Sequence, residues 1–139
     1  MPRLSDAERD RFLSDTRLGI LTTLEAMVPV GVPVWFEWDG ETARIFTGMG
    51  SAKVKRLRAD PRASLLVVNH IAETERWVSF DGTVSVVEEG GFELAEKLAN
   101  RYWDLSDPKK KETLDVWRQA ASELGVLELA PTRIRSYKD

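Results

Sequence analysis

Alternation of apolar and polar residues predicts that most of this chain forms β-strands. In residues 32–38 and 76–87 nearly every second side chain is apolar, so the apolar side chains share one face of each strand. Residues 63–69 are almost continuously apolar, which predicts a strand buried on both faces. The six predicted strands occupy residues 18–24, 32–38, 43–47, 63–69, 76–87 and 126–136.

Proline, glycine and aspartate residues add local detail to these strands. Pro33 has no backbone N–H to donate, which predicts an edge strand or a break in pairing. Asp39-Gly40 is a strong signal for a two-residue hairpin turn. Gly82 in mid-strand predicts a bulge or a close approach of another backbone. Pro131 is expected to interrupt the last strand.

Four helices are predicted between and before the strands. Ser5 and Glu8 form a capping box that opens the first. Ser51 is the expected N-cap of a short second helix that ends before Pro61. After residues 90–91 the apolar residues recur at helical spacing, which predicts the third helix. Asp107-Pro108 starts the fourth helix. Six strands with these helices predict one domain over residues 1–139, a small, mainly antiparallel β-barrel with helical decoration.

Composition excludes several kinds of chemistry. The chain has no cysteine and a single histidine, so neither disulfides nor thiolate or histidine-rich metal sites are expected. No apolar run approaches the roughly 20 residues that span a membrane. The first twelve residues are charged throughout, unlike a signal peptide. We therefore expect a cytoplasmic protein with no metal site and no membrane contact.

One basic stretch, residues 51–62, stands out in a chain of net charge −3. It contains a single acidic residue, Asp60, and five cations: Lys53, Lys55, Arg56, Arg58 and Arg62. Such a local excess suggests one particular anion. The N-terminus of a helix is also a ready site for phosphate. A solvated helix with ordinary surface charge is an equally good interpretation of these residues alone. Nucleic-acid binding is disfavoured because the chain is acidic overall.

The order of these elements resembles a known family, the flavin-binding split-barrel proteins related to pyridoxamine 5′-phosphate oxidase. That family includes flavin- and deazaflavin-dependent reductases. The resemblance covers roughly residues 8–135 and is carried by four pieces: LGILTTL (18–24), VPVWFEWDGETARIFT (32–47), SAKVKRLRADPRASLLV (51–67) and FDGTVSV (80–86). Its most specific part is a threonine at a strand end, followed by a short loop, Ser-x-Lys and a basic helix.

The resemblance implies a six-stranded antiparallel split β-barrel of the FMN-binding type, paired as a homodimer with the cofactor ring in a groove between subunits. By position, Thr47, Ser51 and Lys53 match the loop that binds the cofactor phosphate, with Lys55 or Arg56 as further contacts. Residues 34–36, with Val34 and Trp35 foremost, match the strand that lines the ring. Val78 and Phe80 lie on the strand that matches the opposite wall.

The resemblance also implies redox chemistry carried by a cofactor. The string KVKRLR is most similar to members that use coenzyme F-420, an 8-hydroxy-5-deazaflavin, and FMN is the alternative cofactor. The expected reaction is transfer of hydride from reduced coenzyme F-420 to a small unsaturated or quinone-like acceptor. An FMN-binding oxidoreductase, or a non-catalytic flavin- or haem-binding protein of the same fold, is the alternative. No catalytic residue is assigned. Packing or surface roles are favoured over proton donation for Tyr102, Tyr137 and His70.

Overall fold

The computed structural model describes residues 2–139, which form seven strands, four α-helices and one short 3-10 helix. The α-helices are α1 (Asp6–Ser14), α2 (Ala52–Ala59), α3 (Gly91–Tyr102) and α4 (Pro108–Gln119), with the 3-10 turn at Ala121–Glu123. The strands are β1 (Gly19–Glu25), β2 (Val28–Val34), β3 (Glu37–Trp38), β4 (Ala43–Gly48), β5 (Arg62–Val68), β6 (Arg76–Val87) and β7 (Leu124–Lys138).

All seven strands belong to one antiparallel sheet with the order β2-β1-β5-β6-β7-β4-β3. The predicted mainly β architecture is confirmed, but the predicted count of six strands is wrong by one. The run 32–38 is divided at Trp35 and Phe36, so its two halves, β2 and β3, lie at opposite edges of the sheet. Because only two residues join these edges, the sheet must roll until they are close together. The result is a barrel with a split between β2 and β4.

The barrel encloses the main hydrophobic core. Its largest completely buried side chains include Phe36, Phe80 and Leu65, each from the inward face of its segment. α2 adds Val54 and Leu57 to this core. A second, smaller cluster lies outside the barrel beneath α3 and consists of Leu94, Leu98 and Val126 with Trp35, Phe46, Val87 and Tyr102 packed against it.

β5 differs from its prediction as a strand buried on both faces. Leu65 and Val67 are completely buried, whereas Leu66 is 37% exposed and Val68 is 47% exposed. The outward side chains of β5 therefore have no covering layer in the described chain. On neighbouring β1, Ile20 lies directly opposite Leu66 and is also exposed, so the uncovered surface extends over two strands.

β2 is an edge strand, as Pro33 predicted. It leaves β1 through a two-residue turn at Ala26 and Met27, both with positive φ, so Val28 pairs directly with Glu25. Along a paired strand the backbone N–H and C=O groups of successive residues point alternately towards the partner strand and away from it. Starting from the Glu25–Val28 pair, the residues whose groups point towards β1 are Val28, Val30, Val32 and Val34. The free edge of β2 therefore displays the backbone of Pro29, Gly31 and Pro33, and only Gly31 has an N–H there.

Other local predictions have mixed outcomes. The pairing of β6 with β7 shifts register at Asp81/Gly82, and a side chain at Gly82 would overlap the carbonyl oxygen of Ala130, so the predicted bulge is confirmed. β7 nevertheless runs unbroken through Pro131, because that proline lies beside the bulge, whose unpaired residue is Thr132 of β7. The hairpin turn closes around Gly40 and Glu41, one residue later than predicted, since Asp39 N–H donates to Thr42 O at 3.3 Å.

Candidate functional site

A pocket of about 580 Å³ lies in the split of the barrel. β3 pairs only with Ala43 and Arg44, so residues 45–48 of β4 have a strand partner on one side only. The opposite rim is the free edge of β2 at Pro33 and Val34. The pocket is lined by Leu18, Pro33, Val34, Trp35, Ile45, Phe46, Thr47, Gly48, Ser51, Lys53, Trp103 and Trp117.

Two hydroxyl groups mark one end of this pocket. Thr47 is buried near the end of β4, and its Oγ1 lies 3.0 Å from Oγ of Ser51. Ser51 is the N-cap of α2, where its Oγ accepts the N–H of Val54 at 3.4 Å, as the sequence predicted. The first turn of α2 therefore begins at the pocket, with backbone N–H groups that suit an anion.

Lys53 supplies the positive charge in the pocket lining. Burial lowers the pKa of its ammonium group, and the neighbouring charge of Arg56 lowers it further. Within residues 2–139 no carboxylate forms an ion pair with Lys53, Lys55 or Arg56, whereas Arg58 and Arg62 are paired with acidic residues. A bound anion would offset the repulsion between Lys53 and Arg56, which have no counter-ion among residues 2–139.

Arg56 and Lys55 differ in their positions on α2. Arg56 follows Lys53 by three residues and shares its helix face, and its Nε donates to Oγ1 of buried Thr23 at 2.8 Å. Lys55 follows Lys53 by two residues, is exposed and does not line the pocket. The structure therefore brings Thr47, Ser51 and Lys53 together with Arg56 beside them, and leaves Lys55 outside.

An aromatic wall closes another side of the pocket. Trp35 projects outward from the β2–β3 link, and its ring lies 4.8 Å from that of Trp103, edge to face. Trp103 ends α3 and stacks on Trp117 of α4 at 5.3 Å. Phe46 of β4 lies 5.2 Å from Trp117. Sequence analysis missed Trp103 and Trp117, because nothing local to either residue shows that α3 and α4 fold back over β4.

Comparison with known proteins agrees with this architecture. The family model described as pyridoxamine 5′-phosphate oxidase matches residues 5–137, which is almost the whole chain. The chain belongs to the pyridoxamine 5′-phosphate oxidase family.

Several solved structures share the family fold. An F420 reductase is 22% identical, with a TM-score of 0.71 over 90% of this chain and 94% of the other. A conserved hypothetical protein from Mycobacterium tuberculosis is 28% identical, with a TM-score of 0.74 over 97% and 85%. An FAD-binding protein from Mesorhizobium loti is 20% identical, with a TM-score of 0.68 over 97% and 93%. No curated protein matches the chain in sequence.

The residues expected to face the cofactor ring in this family divide into two groups. Val34 and Trp35 line the pocket. Phe36, Val78 and Phe80 are completely buried in the barrel core, and Phe80 stacks on Trp38 at 4.5 Å. These three side chains face away from the pocket because each occupies an inward position of its segment. Any side-chain contact from β6 would have to come from outward residues such as Trp77.

The tyrosines and the histidine are not placed for proton transfer in this pocket. The hydroxyl of Tyr102 donates to the carbonyl oxygen of Arg17 at 2.5 Å, and burial raises the pKa of the phenol. Tyr102 therefore serves to fix the end of α3 to the barrel. His70 lies in the β5–β6 loop and Tyr137 near the end of β7, and neither lines the pocket.

The pocket suits a planar ring that carries an anionic group. Its lining contains no carboxylate, a single cation and two hydroxyl groups, and its other side chains are apolar or aromatic. These residues fit the flavin or deazaflavin type of cofactor expected in this family. Solved structures with this fold include an F420 reductase, FAD-binding proteins and a haem-binding protein. Residues 2–139 contain no helix long and apolar enough to cross a membrane.

Proposed function

We propose that this protein binds coenzyme F-420 in the split of its barrel and reduces a small unsaturated or quinone-like acceptor. One observation carries the proposal. Lys53 and Arg56 lie side by side without a carboxylate partner, next to the hydroxyl pair of Thr47 and Ser51, at the end of an aromatic pocket. Lys55 extends this positive charge to the surface of α2. A phosphodiester with an acidic tail would engage all of these groups.

The cofactor, when bound, supplies the hydride, and the chain supplies position and exclusion of water. Ser51, Lys53 and the first N–H groups of α2 would hold the phosphate. Val34 and Trp35 would fix the plane of the ring. A quinone acceptor becomes a hydroquinone by gaining one proton and the one hydride that the bound cofactor would supply. We assign the required proton to solvent, since the lining holds no carboxyl, phenol or imidazole group and its one ammonium group, Lys53, would be engaged by the phosphate.

FMN is a second candidate cofactor, and one observation favours it. Of the three unpaired cations of α2, only Lys53 lines the pocket. A single phosphate would be satisfied by Lys53, Ser51 and the N-terminus of α2, with Lys55 left in solvent and Arg56 hydrogen-bonded to Thr23. The haem alternative gains no such support, because the chain's one histidine, His70, lies in the β5–β6 loop away from the pocket.

We further propose that a second copy of the chain covers the outer face of β1 and β5. Ile20, Leu66 and Val68 are exposed there, and Leu18, which is 55% exposed, joins this face to the pocket rim. A contiguous apolar patch of this kind marks an interaction site. A partner on this face would also contact the pocket at Leu18, so a ligand would lie between two subunits.

The experiment that tests cofactor binding compares Lys53→Ala with Arg58→Ala. Both substitutions remove one cation from α2, but Arg58 is exposed and pairs with Glu88 at 3.4 Å, outside the pocket. Titration with coenzyme F-420 and with FMN should show about tenfold to hundredfold weaker binding for Lys53→Ala, as expected for a charge-assisted contact. Arg58→Ala should change either constant less than twofold. Binding of both cofactors by Lys53→Ala at wild-type strength would overturn the phosphate assignment.

Turnover is tested separately. Reduced coenzyme F-420 is mixed with the protein and a 1,4-naphthoquinone, and oxidation of the cofactor is followed by absorbance. We expect oxidation that depends on both protein and quinone. Tight binding of coenzyme F-420 without any oxidation by a range of quinones and enones would overturn the reductase and favour a carrier protein. Tighter binding of FMN than of coenzyme F-420 would favour the FMN alternative.

A further inference from the structure

In the helical hairpin of α3 and α4, α3 packs Leu94 and Leu98 into the second hydrophobic cluster, whereas α4 buries little. Leu114 is the only buried residue of α4, and Val116 on the same helix is 57% exposed. Ordering the backbone costs conformational entropy, so a twelve-residue helix that buries so little must be held by specific contacts. One of these is the stack of Trp117 on Trp103, and both tryptophans line the pocket.

The position of this hairpin is fixed from several sides. Arg118 of α4 forms an ion pair with Glu96 of α3 at 3.2 Å. In the linker between the helices, Asp104 accepts hydrogen bonds from the backbone N–H and hydroxyl of Ser106, at 3.0 and 2.7 Å. The two tryptophans are therefore presented on a supported surface.

The chemistry of this surface differs from that of the cationic end. Neither Trp103 nor Trp117 carries a charge, and within residues 2–139 the indole N–H of neither has a hydrogen-bond acceptor. In contrast, the indole N–H of Trp38 donates to Asp10 at 2.9 Å. A wall of stacked indoles with free N–H donors can hold a flat ring and donate to its carbonyl oxygen. Lys110 is a cation beside this wall, with its Nζ 6.0 Å from the centroid of the Trp103 ring, but it does not line the pocket.

We infer that Trp103 and Trp117 bind the electron acceptor and select planar aromatic carbonyl compounds, such as fused-ring quinones, over non-aromatic enones. This inference rests on the proposed function and names the substrate class of the same pocket. Three features combine to support it: the wall belongs to a different element from the cationic end, the lining has no carboxylate that would attract a cationic acceptor, and the two rings are stacked at 5.3 Å. Trp103 and Trp117 are thus specificity-determining residues.

The test uses protein saturated with oxidised coenzyme F-420, so that binding is measured without turnover. A 1,4-naphthoquinone and 2-cyclohexen-1-one are titrated by calorimetry into wild type, Trp117→Ala, Trp117→Phe and Val116→Ala. We expect Trp117→Ala to weaken naphthoquinone binding about five- to tenfold more than cyclohexenone binding. Trp117→Phe, which keeps an aromatic ring, should recover most of the loss. Val116→Ala alters the exposed face of the same helix and should leave both constants unchanged.

Equal weakening of both acceptors, or no weakening of either, would overturn the inference. So would a cofactor dissociation constant that rises as much as that of the naphthoquinone, because the wall would then hold the cofactor ring. Thermal unfolding of each variant confirms that α4 is still folded. Failure of the proposed function has a different signature, namely no oxidation of reduced coenzyme F-420 by wild type even though the naphthoquinone binds.

Discussion

The hydroxyl oxygens of Thr47 and Ser51 lie 3.0 Å apart, at the junction between β4 and α2. Ser51 also caps α2, so one side chain contributes both to the helix and to the proposed phosphate site. Two substitutions separate these contributions. Ser51→Ala removes the cap and should lower the free energy of unfolding by about 1 kcal/mol. Ser51→Asp restores the cap and adds a favourable charge at the helix N-terminus, so its stability should be close to that of wild type.

The order of the two Ser51 variants by cofactor affinity should differ from their order by stability. The new carboxylate of Ser51→Asp would face the phosphate and repel it, so FMN and coenzyme F-420 should both bind more weakly to Ser51→Asp than to Ser51→Ala. Urea unfolding gives the stabilities, and titration gives the dissociation constants. Wild-type affinity in Ser51→Asp would show that the phosphate lies elsewhere.

Neutralising the outer cations of α2 should distinguish the two cofactors. In Lys55→Gln/Arg56→Gln, the glutamine at position 56 retains N–H donors for Thr23 while two positive charges are lost. Binding of coenzyme F-420 should weaken far more than binding of FMN, because only the former extends negative charge beyond its first phosphate. Raising the salt concentration should act in the same direction, since screening is strong beyond about 10 Å at 0.1 M salt. Equal losses for both ligands would favour FMN as the cofactor.

The uncovered face of β1 and β5 predicts a dimer in solution. Standard interfaces bury about 1,600 Å², and a split-barrel pair should exceed that. Light scattering at micromolar concentration should therefore give twice the chain mass of 15.7 kDa for wild type. Leu66→Glu places a charge at the centre of the face and should yield a monomer. Val116→Glu introduces the same change at an exposed apolar residue of α4 and should remain dimeric. A monomeric wild type would remove the shared-pocket arrangement.

Acid should weaken the anchor of the β5–β6 loop. The pKa of Glu73 is lowered from 4.5 to about 2, mainly because its carboxylate accepts hydrogen bonds from the buried guanidinium of Arg17. Because the folded-state pKa lies below the unfolded value, the unfolded chain takes up the proton first as the pH falls. This contribution to stability is complete above about pH 4.5 and is lost between there and about pH 2.

The measurement is the midpoint of urea unfolding at pH 7 and at pH 3. Glu73→Gln should lower the midpoint at pH 7, since Arg17 keeps only Asp15 as an acidic partner, and should show a smaller difference between the two pH values than wild type. Glu75→Gln removes a neighbouring carboxylate that forms no ion pair among the described residues, and serves as the control. An unchanged difference in Glu73→Gln would contradict the assignment.

Much of the fold follows from local sequence. Ser5 and Ser51 were identified as N-caps because a cap is decided within four residues, and the core face of β6 was visible in its alternation. The division between β2 and β3 was not visible, because the alternation continues through Trp35 and Phe36 while the pairing partner changes. Leu66 and Val68 were expected to be buried, since hydrophobicity alone does not say whether the covering layer belongs to the same chain.

The candidate site was predictable where it depends on a contiguous motif. Thr47, Ser51 and Lys53 lie within seven residues of one another, and the structure brings them to one pocket. Trp103 and Trp117 join that pocket only through the folding back of α3 and α4, which neither residue's neighbours in sequence reveal. Val78 and Phe80 were predicted to line a groove because their strand was matched to its wall. Both occupy positions of β6 whose side chains point inward, so both are buried in the core.

The free edge of β2 has a consequence for how copies of this chain can meet. Two of its three outward backbone positions are proline, so a strand laid alongside would find a single N–H donor, at Gly31. A second copy therefore cannot readily add a strand to this side of the barrel, although four of the seven residues of β2 are valine. Such addition of strands is how a continuous intermolecular sheet, as in amyloid, would grow. The four valines of β2 favour an extended strand, and the spacing of Pro29 and Pro33 keeps that strand from extending a sheet.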